Sequence, residues 1–141
     1  MRILSLAISD NANLMYTNML CLRAVGIDAH CYKTHPQNHK IKDFYYEVEA
    51  EIKTVEEMCQ IIEGSHWDVI QFFHAQIKNF RQIQFSIYKL DKSKTKFVVY
   101  YTGSNYRNEP EIHNEVFNPI VNLSVTSKAL FRHCHLHETS G

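Results

Sequence analysis

Residues 2–33 read RILSLAISDNANLMYTNMLCLRAVGIDAHCYK, and the fold depends on how this stretch divides. Arg2 to Ile8 is a short apolar run, stopped by Ser9, Asp10, Asn11, Ala12 and Asn13, five small or polar residues that favour turns. From Thr17 to Val25 a broad apolar face returns through Met19, Leu20 and Leu22, with Thr17 placed to cap a helix and Gly26 to stop it. Ile27 to Lys33 then alternates as a second strand does. Strand, helix, glycine and strand within some thirty residues predict a right-handed βαβ unit.

The alternation continues outward from that unit. Residues 34–52 are polar and irregular, with room for a short strand. Thr54 and Glu57 have capping-box spacing and predict a helix over Thr54 to Glu63. Trp67 to Ala75, WDVIQFFHA, reads as a strand. Ile77, Phe80, Ile83, Ile87 and Leu90 recur at helical spacing. Lys96 to Tyr101, KFVVYY, is continuously apolar from Phe97 on, as a parallel strand buried on both faces requires. Val121 to Val125 is one more short strand. The expected fold is therefore α/β: an open, mostly parallel sheet with helices on both faces, Rossmann-like, over residues 1–130, with 131–141 as a flexible tail.

Composition narrows the classes. In 141 residues, 45% hydrophobic and 21% charged, there is material for one globular domain rather than two. Fifteen basic and fifteen acidic residues cancel, so no net field draws the chain to nucleic acid or to an anionic membrane. Cys21, Cys31, Cys59 and Cys134 form no CxxC pair and read as reduced thiols, and no run approaches the roughly 20 apolar residues of a membrane span. A cytoplasmic protein without peripheral membrane contact is the expectation.

In an open α/β sheet, ligands meet the carboxyl ends of the strands. That rule selects Ser9, Asp10, Asn11 and Asn13 after the first strand, His74 after VIQFF, and Gly103, Ser104, Asn105 and Arg107 after FVVYY. The first loop has no glycine, so the GxGxxG fingerprint of NAD and FAD sites is missing, as is the GKS or GKT of a P-loop; no cofactor is expected. Asp10, Asn11 and Asn13 offer acceptors and amides to a hydroxyl-rich ligand, though turn formation alone asks for the same residues. His74 is a candidate catalytic group for polarising or deprotonating a hydroxyl; a histidine closing a strand also serves simply as a partner for a neighbouring loop. In the tail, His133, His135 and His137 share one face if extended, but without CxxC spacing, and no metal site is expected there.

VVYYTGSNYR resembles the strand followed by His, Gly, Ser, Asp, any residue and Arg in the N-terminal half of retaining GT-B glycosyltransferases of the large family numbered four. The opening MRILSLAISDNAN, the segment NMLCLRAVGIDAHCYK, the phrase WDVIQFFHA and the later VNLSVTSKAL are similar to the same family. Gly103, Ser104 and Arg107 match its motif directly. Thr102 stands where the family commonly has His, and Asn105 where it has Asp.

The resemblance implies the acceptor-side half of a nucleotide-sugar-dependent glycosyltransferase. A nucleotide-sugar donor and a hydroxyl acceptor would be its partners only beside a complementary C-terminal domain, since the family holds its donor mainly in a second Rossmann domain. It would then be inactive alone. His74 and residues 9–13 would address the acceptor, and Gly103 to Arg107 would shape the cleft. The alternative is a stand-alone Rossmann-like binding or regulatory module without transferase activity.

Overall fold

The computed structural model describes residues 1–36, 48–74, 80–101, 111 and 123–126. Six parallel strands, β1 (Arg2–Ala7), β2 (Asp28–Lys33), β3 (Glu51–Ile52), β4 (Val69–Phe73), β5 (Lys96–Tyr101) and β6 (Leu123–Thr126), form one open sheet in the order β3-β2-β1-β4-β5-β6. Three helices accompany them: α1 (Leu14–Ala24), α2 (Val55–Gly64) and α3 (Phe80–Tyr88). This is the expected α/β, Rossmann-like arrangement.

Side-chain alternation divides the strands between two cores. Leu4 and Leu6 of β1, Ile70 and Phe72 of β4, and Phe97 and Val99 of β5 face one way, against Met58 and Ile62 of α2 and Phe80, Ile83 and Ile87 of α3. Ala7, Ala29, Cys31 and Phe73 face the other way and meet Met15 and Met19 of α1. The chain first steps from β1 outward to β2, then returns to the far side of β1 for β4 and β5. Crossovers of one hand running in opposite directions put their helices on opposite faces, which is the division observed.

Local chemistry explains two of the helix ends. Glu57 N–H donates to Thr54 Oγ1 and Thr54 N–H to Glu57 Oε1, both at 3.1 Å, closing the expected capping box of α2. Beyond α1, Gly26 at φ 88° donates to Arg23 O (3.0 Å) and Ile27 to Leu22 O (3.1 Å), the paired bonds of a Schellman stop.

The start of α1 corrects the sequence reading. The helix begins at Leu14, and Thr17 lies inside it with its hydroxyl donating to Asn13 O at 2.9 Å. Thr17 is thus no cap. A two-residue strand, β3, also emerges from the irregular stretch 34–52, pairing with Tyr32 and Lys33. Residues 75–79, 102–110 and 127–141, with Gly103, Ser104, Asn105, Arg107, His133, His135 and His137, lie outside the described residues.

Candidate functional site at the switch point

Strand order reverses between β1 and β4, which pair in parallel from Ile3↔Val69 to Leu6↔Phe72. The helices that follow these two strands, α1 and α3, pack on opposite faces, and it is at such a reversal that open α/β sheets bind ligands. Asp10 follows β1 and His74 follows β4. The fold brings them together: His74 Nε2 lies 2.9 Å from Asp10 Oδ1, with side-chain exposures of 1% and 0%.

Asp10 is also the cap that Thr17 is not. Its Oδ1 accepts from Met15 N–H at 2.8 Å and its Oδ2 from Tyr16 N–H at 3.0 Å, two of the otherwise unbonded amides of the first helical turn. The turn between them is tight. Ala12 (φ 56°) and Asn13 (φ 55°) occupy left-handed conformations that aim the Asp10 carboxylate back at the helix end. A carboxyl group accepting two backbone N–H bonds is in its acceptor form, so the His74 bond runs from Nε2–H to Asp10.

His74 has φ 70°, and its N–H donates to Tyr100 O at 2.9 Å, so it ends β4 without leaving the ladder. Among the described residues, the non-glycine positions with positive φ are Ala12, Asn13 and His74, all beyond the carboxyl ends of β1 and β4. Left-handed backbone disfavours an L-residue by roughly 1–2 kcal/mol. Such conformations collect where surrounding contacts over-determine them, as they do at functional sites.

Of the remaining candidates, Ser9 is half-buried. Asn13 is buried, its Nδ2 donating to Val48 O at 3.0 Å. Asn11 lies in the 3-10 turn Asn11–Asn13.

One strand further out is a pair that the sequence reading missed. Lys33, the last residue of β2, is 1% exposed, with Nζ 3.2 Å from Glu49 Oε2. The available signal was parity: Ala29, Cys31 and Lys33 share a face, and the first two are core residues. Burial pushes the neighbouring Cys31 thiol up to about 12, the Asp10 charge acting in the same direction. A cleft of about 330 Å³ opens beside this pair between Tyr16, Arg23, His30 and Glu49, over the outer edge of β2 rather than over His74.

The amino ends of the same strands carry a second, exposed set of charges. Arg2 pairs with Asp28 at 2.9 Å and lies over the Trp67 ring at 4.2 Å, while His30 meets Asp28 at 2.7 Å and His66 meets Asp68 at 3.1 Å. Bonds from Arg2 and then His30 hold Asp28 below its ordinary value. The Arg2 backbone N–H and then His66 do the same for Asp68.

Fold and site together define a Rossmann-like α/β domain with a buried Asp–His pair at its switch point. No family model, curated protein or solved structure matches the chain. Among the described residues no group of three or more His, Cys, Asp and Glu could hold a metal ion, and no helix is long and apolar enough to cross a membrane.

Proposed function

We propose that this chain is the acceptor-side Rossmann-like domain of a retaining GT-B glycosyltransferase, and that transfer requires a complementary domain holding the nucleotide-sugar. One observation carries the reading: Asp10 and His74, from loops 64 residues apart, meet at the switch point of a parallel sheet. The resemblance of residues 97–107 and of WDVIQFFHA to that family supports it independently.

In this reading an acceptor hydroxyl approaches the His74 edge while the donor's anomeric carbon is presented from the partner domain. The bond from that carbon to the diphosphate oxygen breaks, a bond to the acceptor oxygen forms, and the hydroxyl proton leaves with the diphosphate. Asp10 holds the His74 ring, and positioning supplies most of the acceleration. Gly103, Ser104, Asn105 and Arg107 belong to the cleft wall in this reading.

The test is transfer by the chain combined with a nucleotide-sugar-binding Rossmann polypeptide. His74→Asn, which tolerates the left-handed backbone, should lower kcat while the fold persists. Unchanged kinetics, or full turnover by the chain alone, would refute the proposal. A second reading, a stand-alone binding module, draws on the near-complete burial of both side chains: a pair so enclosed also serves as a structural lock between two loops.

A further inference from the structure

We propose that the cleft along the outer edge of β2 is a second binding site, for a zwitterion that carries an ammonium and a carboxylate at opposite ends of a short apolar chain. It is separate from the switch point, and neither reading of His74 bears on it.

The cleft, of about 330 Å³, lies at the small end of the range of roughly 300–1,000 Å³ usual for ligand pockets. Opposite charges mark its two ends. Arg23, exposed in the last turn of α1, has its Nε donating to Ala29 O at 2.8 Å, next to the start of β2. Glu49 is held at the other end of the helix: Asn13, just before α1, donates to the adjacent Val48 O at 3.0 Å, and Lys33, the last residue of β2, lies 3.2 Å from Glu49 Oε2. The rise of α1 between these points sets the two charges on the order of 10 Å apart.

Each of these groups is fixed by one atom and leaves others uncommitted. Among the described residues, neither Nη of Arg23 nor Oε1 of Glu49 has a hydrogen-bond or ion-pair partner. The guanidinium presents a planar fork that suits a carboxylate, and the carboxylate oxygen suits an ammonium. The other charged groups lining the cleft already have partners, His30 in Asp28 at 2.7 Å and Glu51 in Lys53 at 3.5 Å. Between the two ends the cleft is lined by buried Met19 and Cys31, against which methylenes can lie. A ligand with a single charge would leave the opposite end unmatched, and an α-amino acid, with one carbon between its charges, is too short to reach both.

The experiment is a titration of the ¹⁵N-labelled chain at neutral pH with ε-aminocaproate, followed at the amides of Met19, Arg23, Cys31 and Glu49. Saturable shifts are expected, with caproate and hexylamine, which each lack one of the charges, binding about tenfold more weakly. Arg23→Gln should cut the affinity for ε-aminocaproate by about tenfold and leave that for hexylamine unchanged. The double variant Lys33→Met with Glu49→Gln should do the converse, weakening ε-aminocaproate and leaving caproate unchanged. No saturable shift at these amides, caproate or hexylamine binding as tightly as ε-aminocaproate, or wild-type affinity in a folded Arg23→Gln chain would each overturn the proposal.

Discussion

The two ends of this sheet carry the same side-chain chemistry in opposite surroundings. At the amino ends, His30–Asp28 and His66–Asp68 pair at 2.7 and 3.1 Å with every member more than 30% exposed; at the carboxyl ends, His74–Asp10 pairs at 2.9 Å with essentially no exposure. Distance does not distinguish them. Solvent does: water screens an exposed pair and rehydrates either member when the other is removed, whereas a buried carboxylate depends on the donors it has. The exposed pairs decorate a surface, and the buried one joins two loops and fixes a helix start.

The sharpest way to break this contrast is to remove one histidine from each end. His74→Ala leaves the buried Asp10 with only its two backbone donors and should lower unfolding free energy by about 3 kcal/mol, measured by urea denaturation. His66→Ala should leave the midpoint nearly unchanged. Equal losses would contradict the distinction.

Next in size is the Lys33–Glu49 pair, of which Lys33 is wholly buried and Glu49 is 23% exposed. Glu49→Ala strands the ammonium and should be destabilising by about 2–3 kcal/mol. The double variant Lys33→Met with Glu49→Gln should recover most of that loss, because an apolar side chain of similar length fills the site without a charge.

Acid titration separates the ends in a different way. Asp28 and Asp68 are held below their ordinary value of 3.8 in the folded chain. Their stabilisation is therefore complete above that value and lost as pH falls through the lower folded one. Asp28→Asn and Asp68→Asn should each flatten the acid limb of stability against pH, by lowering stability modestly near neutrality and leaving it almost unchanged at the acid end. An unaltered acid limb would mean that the Arg2 network contributes nothing.

The smallest expected effect concerns the strained turn. Ala12 at φ 56° gains from losing its Cβ, so Ala12→Gly should stabilise by about 0.5 kcal/mol after the added freedom of the unfolded chain is counted. Destabilisation would argue against the left-handed conformation.

Much of the fold was legible because its signals are local. β1, β2, β4 and β5 are apolar runs, and the Thr54–Glu57 box and Gly26 mark helix ends within a few residues of where they act. The start of α1 was not legible from Thr17, because its capping carboxylate belongs to Asp10, outside the helix by a full turn. β3 was indistinct because two residues, both exposed, carry no periodicity. At the site, the carboxyl-edge rule selected Asp10 and His74 separately. Their pairing depends on which strands are neighbours, and Lys33 escaped notice because a lysine ending a strand reads as solvent-facing until its own alternation is followed.

The most direct measurement is chemical-shift mapping of the ¹⁵N-labelled chain with a panel of neutral sugars. Saturable shifts centred on Ser9, Asp10, Met15, Tyr16 and His74, weakened in His74→Asn, are the expected result. Shifts confined to Arg2, Asp28 and His66 at the amino end, or no saturable shift with any sugar, would contradict the claim that the switch point is the ligand edge.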